Sequence, residues 1–220
     1  MHAPTKHIIR NNTFWLSSQR CIFWEEEQVL ILSDLHLGKT GHFRKHGIAI
    51  PQNVFLEDMQ RLVEQIMFYK PRAIIAVGDL FHSGANKEMD LFLKWRSDLS
   101  ELPMILVRGN HDILEEDWYV QARIDVKEGI YTINGFSFVH DPDDAPQEDD
   151  TNGFIFSGHL HPGVHIQGMA KQGLSFPCYY FDERMAIIPA FSKFSGLAMV
   201  KKTKSNTVYA IVNHSLVNVR

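Results

Sequence analysis

Five times along this 220-residue chain, a short apolar run stops abruptly at polar side chains of the kind that bind metals. Residues 29–33 (VLILS) run into Asp34-Leu35-His36, and residues 73–77 (AIIAV) into Gly78-Asp79. Residues 104–107 (MILV) lead to Arg108-Gly109-Asn110-His111-Asp112, residues 136–139 (FSFV) to His140, and residues 154–157 (FIFS) to Gly158-His159-Leu160-His161. Continuous apolar runs of four or five residues read as strands covered on both faces.

Helical spacing fills the gaps between the first runs. Pro51 suits a first helical turn, and Phe55, Met59, Leu62, Val63 and Ile66 recur on one face. Residues 87–99 give a second helix with Met89, Phe92, Leu93 and Leu99 as buried positions. Segments 13–17 and 21–25 read as a β-hairpin, and strands near 176–181, 185–188, 196–200 and 207–212 follow one another through short turns, suggesting antiparallel pairing. Strand–helix alternation followed by a β-rich end specifies a mixed α/β sandwich. No repeat, low-complexity tract or long Gly/Ser linker divides residues 1–220, which are expected to form one domain.

Composition removes several classes. A net charge of −4 argues against a polybasic protein that grips nucleic acid by charge alone. Two cysteines, Cys21 and Cys178, lie outside any C-x-x-C spacing, so neither a disulfide framework nor a thiolate zinc site is supported. No apolar run reaches the length of a membrane span, and the N-terminal residues lack the apolar core of a secretory signal. A cytoplasmic protein with no membrane association is the expectation.

In open α/β sheets ligands bind beyond the carboxyl ends of strands, where all five polar clusters fall. Two aspartates, one asparagine and four histidines form an O/N donor set without sulfur, suited to Mn, Fe, Zn, Co or Ni. Seven donors exceed one tetrahedral site and suit two ions sharing a bridging carboxylate, which screens their mutual repulsion. Such an ion pair clamps the attacking and leaving oxygens of an in-line displacement at phosphorus.

Asp34-x-His36, Gly78-Asp79, Gly109-Asn110-His111-Asp112, His140 and Gly158-His159-x-His161 together resemble the ordered motif set of the calcineurin-like metallophosphoesterases. The stretches Asp34-Leu35-His36-Leu37-Gly38-Lys39 continuing into His42-Phe43-Arg44, Gly78-Asp79-Leu80-Phe81-His82-Ser83, and Pro189-Ala190-Phe191 are most similar to the bacterial DNA-ligase-associated (or helicase-associated) clade of that superfamily. The resemblance implies two mixed β-sheets in a sandwich flanked by helices, without a capping domain. It also implies one ion on Asp34, His36 and His161, a second on Asn110, His140 and His159, and Asp79 between them. Manganese is the expected metal. His111 is expected to face the scissile phosphate, with Asp112 orienting its ring, and water or hydroxide on the metals as nucleophile.

Around that set, His82, Lys39, Arg44 and Arg108 are candidate substrate contacts, against the plainer reading of solvated loop residues. The all-acidic stretch 141–150 (DPDDAPQEDD) reads as a solvated loop that would repel a nucleic-acid backbone. The resemblance points to a phosphodiesterase acting on nucleic acid, as an endonuclease on single-stranded DNA in repair, with DNA ligase or helicase as functional associates. Two alternatives stand beside it: a small-molecule phosphoesterase acting on nucleotides or cyclic nucleotides, and a non-catalytic metal-binding scaffold.

Overall fold

The computed structural model describes residues 3–39, 53–82, 87–146, 153–167 and 173–219. Pro51, Arg44 and residues 147–150 lie outside the described residues.

β1 (Thr5–Ile9), β2 (Asn12–Leu16), β3 (Ile22–Trp24) and β4 (Val29–Leu32) form an antiparallel meander. The chain then alternates through α1 (Asn53–Tyr69), β5 (Ala73–Val77), α2 (Lys87–Asp98), β6 (Met104–Val107), α3 (Glu116–Gln121) and β7 (Ile124–Lys127). Strands β4 to β7 pair in parallel, so one seven-stranded mixed sheet runs β1 to β7 in chain order.

The second sheet holds β8 (Ile130–Ile133), β9 (Phe136–Val139), β10 (Phe154–Ser157), β11 (Pro162–Gln167), β12 (Gly173–Phe181), β13 (Met185–Ile187), β14 (Ala198–Met199), β15 (Thr207–Val212) and β16 (Ser215–Val219). Its main path is β14-β11-β12-β13-β10-β9-β8, with β15 and β16 added along β12. β9, β10 and β13 are parallel; most other pairs are antiparallel. The fold is a sandwich of two mixed sheets with helices, as expected. The segment near 196–200 differs from expectation. Only Ala198 and Met199 form a strand, parallel to β11, because the chain arrives there alongside the His161 loop rather than by a hairpin.

Strand alternation divides the core into layers. Leu30, Leu32, Ile74, Ala76, Met104 and Leu106 face the helices, where Phe55, Met59, Leu62, Met89 and Phe92 cover them. The intervening Val29, Ile31, Ile75, Val77 and Val107 face the other sheet. Successive side chains of a strand point to opposite faces, so only unbroken apolar runs can fill both layers. Between the sheets Phe14 meets Phe136 and Phe156 at ring separations of 5.1 and 5.0 Å. Buried Tyr179 ties the layers further by donating to the carbonyls of Ser17 and Cys21. A third, smaller core of Cys178, Val164, Val208 and Ala210 lies on the second sheet. Burial drives both thiols up to about 12: Cys21 in the helix-side layer and Cys178 in this outer one. Among the described residues no helix is long and apolar enough to cross a membrane.

Candidate metal centre

Beyond β4 and β5 the backbone ladder continues into the loops. Asp34 N–H donates to Gly78 O (3.1 Å), His36 N–H to Asp79 O (2.9 Å), and His82 N–H to Leu37 O (2.9 Å). From the other side, Phe191 N–H donates to Ser33 O and Ser192 N–H to Asp34 O. That second segment is itself gripped by two arginines. Arg20 donates to the carbonyls of Ala190 and Ser192, while Arg61, paired with buried Asp58, donates to that of Phe191.

Within this scaffold Asp34, His36, Asp79, His159 and His161 all have left-handed backbone, with φ between 47° and 64°. L-residues adopt it at a cost of ~1–2 kcal/mol each, which the surrounding backbone hydrogen bonds offset. The reversals aim side chains inward that an extended chain would send to opposite faces; His159 and His161 are the plainest case.

Two triads result. Asp34, His36 and His161 present ligand atoms within 4.8 Å of one another, as do Asp79, His140 and His159. In the first, His161 Nε2 lies 3.2 Å from His36 Nε2 and 3.3 Å from Asp34 Oδ1. In the second, His140 Nε2 lies 3.1 Å from His159 Nδ1, 3.1 Å from Asn110 Oδ1 and 3.4 Å from Asp79 Oδ1. Asp79 also borders the first triad, its other oxygen standing 3.9 Å from His36 Nδ1. Donor atoms bound at ~2.1 Å to one ion are ~3–3.5 Å apart, so these separations fit a divalent cation in each triad.

The protonation pattern fits as well. Ligand imidazoles must be neutral, and burial, reinforced by Lys39, pushes His36 down to about 2. His140 Nδ1 faces Val77 O at 3.3 Å, which directs its proton there and leaves Nε2 bare toward the triad. Burial raises the Asp79 carboxyl, with His140 pulling in the opposite direction. The walls are close. A Cβ on Gly78 would sit 2.0 Å from His140 Nδ1, and one on Gly109 would sit 2.4 Å from Asp79 Oδ1.

The remaining sequence candidates separate. His111 N–H donates to Asp79 Oδ1, and its ring stacks on His82 at 4.4 Å and meets His36 edge-on at 5.7 Å. Asp112, 1% exposed, accepts Phe81 N–H on one oxygen and Gly109 N–H on the other, tying two site loops together. Burial pushes its carboxyl up to about 7 despite those donors. The Arg108 guanidinium pairs with Glu116 and Glu128, with a further bond to Asp112 O. Lys39 is half-buried and feels both Asp34 and Asp79, though burial lowers its ammonium pKa. Asp141 belongs to none of the metal motifs, yet its Oδ2 lies 3.5 Å from His159 Nε2. Its one signal was position, directly after His140.

Comparison with known proteins locates the same region. The family model described as calcineurin-like phosphoesterase matches residues 28–162, a span that contains all seven expected ligands. The chain is similar to the crystal structure of the nuclease MPE from Pseudomonas putida, with a TM-score of 0.82 at 22% identity over 98% of this chain and 100% of that one. It also matches Yfce, a phosphoesterase from E. coli, with a TM-score of 0.47 at 14% identity, covering 87% of this chain and 97% of the other. The likeness to the nuclease MPE is one of fold. No curated protein sequence matches the chain.

Proposed function

The chain belongs to the calcineurin-like phosphoesterase family and is a metal-dependent phosphoesterase, and from that premise we propose that it is a two-ion phosphodiesterase cutting single-stranded DNA internally, in a cytoplasmic repair setting. One observation carries this reading: ligand atoms from four separate strand ends gather into two triads with the Asp79 carboxylate beside both, and Asn110 from a fifth strand end lies 3.1 Å from His140 Nε2.

In this reading Asp34, His36 and His161 hold one ion, Asn110, His140 and His159 the other, and Asp79 serves both, all within a single domain. Manganese suits the O/N donors, as do Fe, Zn, Co and Ni. Bound there, two divalent ions supply Lewis-acid charge for activating water and neutralising phosphoryl oxygens. The protein supplies the rest. His111 faces the phosphate and delivers a proton to the departing oxygen. His82, stacked on that ring, limits its rotation, and the Asp112 carboxylate sets the loop from which it projects. Lys39 adds positive charge near the first triad.

Two further observations support the nucleic-acid assignment. Asn110 is exposed and the His159 side chain is 36% exposed, so the second triad opens to the surface, where a polymer can reach it. The fold is also shared end to end with a nuclease. A DNA ligase or helicase as functional associate belongs to the same proposal. The test is manganese-dependent cleavage of circular single-stranded DNA by wild type and His111→Ala, alongside mononucleotides and cyclic nucleotides. Cleaved circles with wild type and at least a hundredfold less with the variant are expected. Turnover of the small esters with intact circles would overturn the nuclease assignment while leaving the phosphoesterase.

A further inference from the structure

The acidic loop after β9 does more than meet solvent. Asp141 begins it, and its two carboxylate oxygens have separate partners. Oδ1 accepts Asp143 N–H at 2.9 Å, capping the 3₁₀ turn Pro142–Asp144 and fixing the carboxylate plane. Oδ2 faces His159 Nε2 at 3.5 Å. The opposite ring nitrogen of His159, Nδ1, lies 3.1 Å from His140 Nε2.

His140 keeps its own proton on Nδ1, toward Val77 O, so its Nε2 is a bare acceptor. A neutral His159 then has two places for its one proton. On Nδ1 it would bond to His140 Nε2 and cover the lone pairs of both rings. On Nε2 it would bond to the Asp141 carboxylate and leave both lone pairs facing the triad. Hydrogen bonds to an ionised acceptor are roughly twice as strong as neutral ones.

We propose that Asp141 is a positioning residue for the second ion: by accepting the Nε2 proton of His159, it holds that imidazole in the tautomer whose Nδ1 is free to bind metal. The inference rests on the two-ion reading above. Carboxylate partners of ligand histidines act in this way in metal sites generally, and their loss lowers metal affinity by ~10–100-fold.

The test uses manganese titration of the metal-free protein by calorimetry, together with long-range ¹H–¹⁵N NMR of the histidine rings. Wild type should bind two ions and carry the His159 proton on Nε2. In Asp141→Ala, one of the two binding steps should weaken ~10–100-fold while the other holds, and the His159 proton should shift toward Nδ1. Asp141→Asn separates positioning from folding. It retains an oxygen for Asp143 N–H but turns an amide donor toward His159, so it should restore the turn and not the affinity. Asp144→Ala removes a charge from the same exposed loop and should change neither measurement. Unchanged binding of two ions by Asp141→Ala, or equal weakening by Asp144→Ala, overturns the inference alone. A wild type that binds only one ion overturns the two-ion reading and this inference with it.

Discussion

Left-handed backbone occurs in two regions of this molecule for opposite reasons. At the hairpins Arg10-Asn11, Asn134-Gly135 and Asn213-His214, both turn residues have positive φ and are exposed. Each joins strands in two-residue register, the geometry that demands such a conformation from whichever residues are present. At the rim of the sheets, Asp34, His36 and Asp79 share that conformation while 5% exposed or less. No tight turn requires it there. At the hairpins the backbone selects the residue; at the rim the side chains needed in one place impose the backbone, and neighbouring loops hold it.

That contrast can be tested by substitution. The largest effect is expected for Asp79→Asn. Asparagine tolerates positive φ, and its oxygen can still accept His111 N–H, so the metal-free melting temperature should hold or rise as a buried carboxyl is removed. Phosphodiester hydrolysis should nevertheless fall by about a thousandfold, or ~4 kcal/mol of barrier. Substantial unfolding would mean that the rim carries stability rather than chemistry.

Next comes a pair of glycines with like φ. Gly78→Ala drives a methyl into the His140 ring at a position with φ +75°, and should cost about 2–5 kcal/mol in denaturant melts, with loss of metal binding. Gly135→Ala, at φ +80° with open space around it, should cost only about 1–2 kcal/mol and leave activity intact. Equal costs would erase the distinction between the regions.

Metal linkage should follow. Manganese at a hundred times its Kd should stabilise the fold by ~2.7 kcal/mol, or roughly 5–10 °C in melting temperature for a chain this long. Chelation should reverse the gain, and Asp79→Asn should abolish most of it. The smallest effect belongs to Asn213→Gly, which relaxes a turn residue at φ 47° and should move stability by under ~1 kcal/mol with activity unchanged.

Much of the sandwich was legible in the chain because unbroken apolar runs have few uses. The runs at 73–77, 104–107, 136–139 and 154–157 are strands over those same residues. Short or half-exposed elements carry less signal, β7, β8 and α3 among them: the two strands alternate only briefly, and α3 spans only Glu116–Gln121. The parallel pairing of β14 could not be read locally, since a bond from Ala198 N–H to His161 O sets it. Metal-capable residue types marked the rim, but residue type alone says nothing about a neighbour's claim on a side chain. Hence the pairing of Arg108 with Glu116 and Glu128, and the approach of Asp141 to His159, could be read only from the fold.

The two sequestered thiols give the molecule a pair of internal clocks. Cys21 and Cys178 are 0% exposed in different layers, and a thiol with a pKa near 12 contributes almost no reactive anion at neutral pH. Alkylation at either sulfur must wait for that layer to breathe. Mass spectrometry timing the two adducts separately would therefore report which slab of the sandwich loosens first, and whether occupying the rim slows one clock or both.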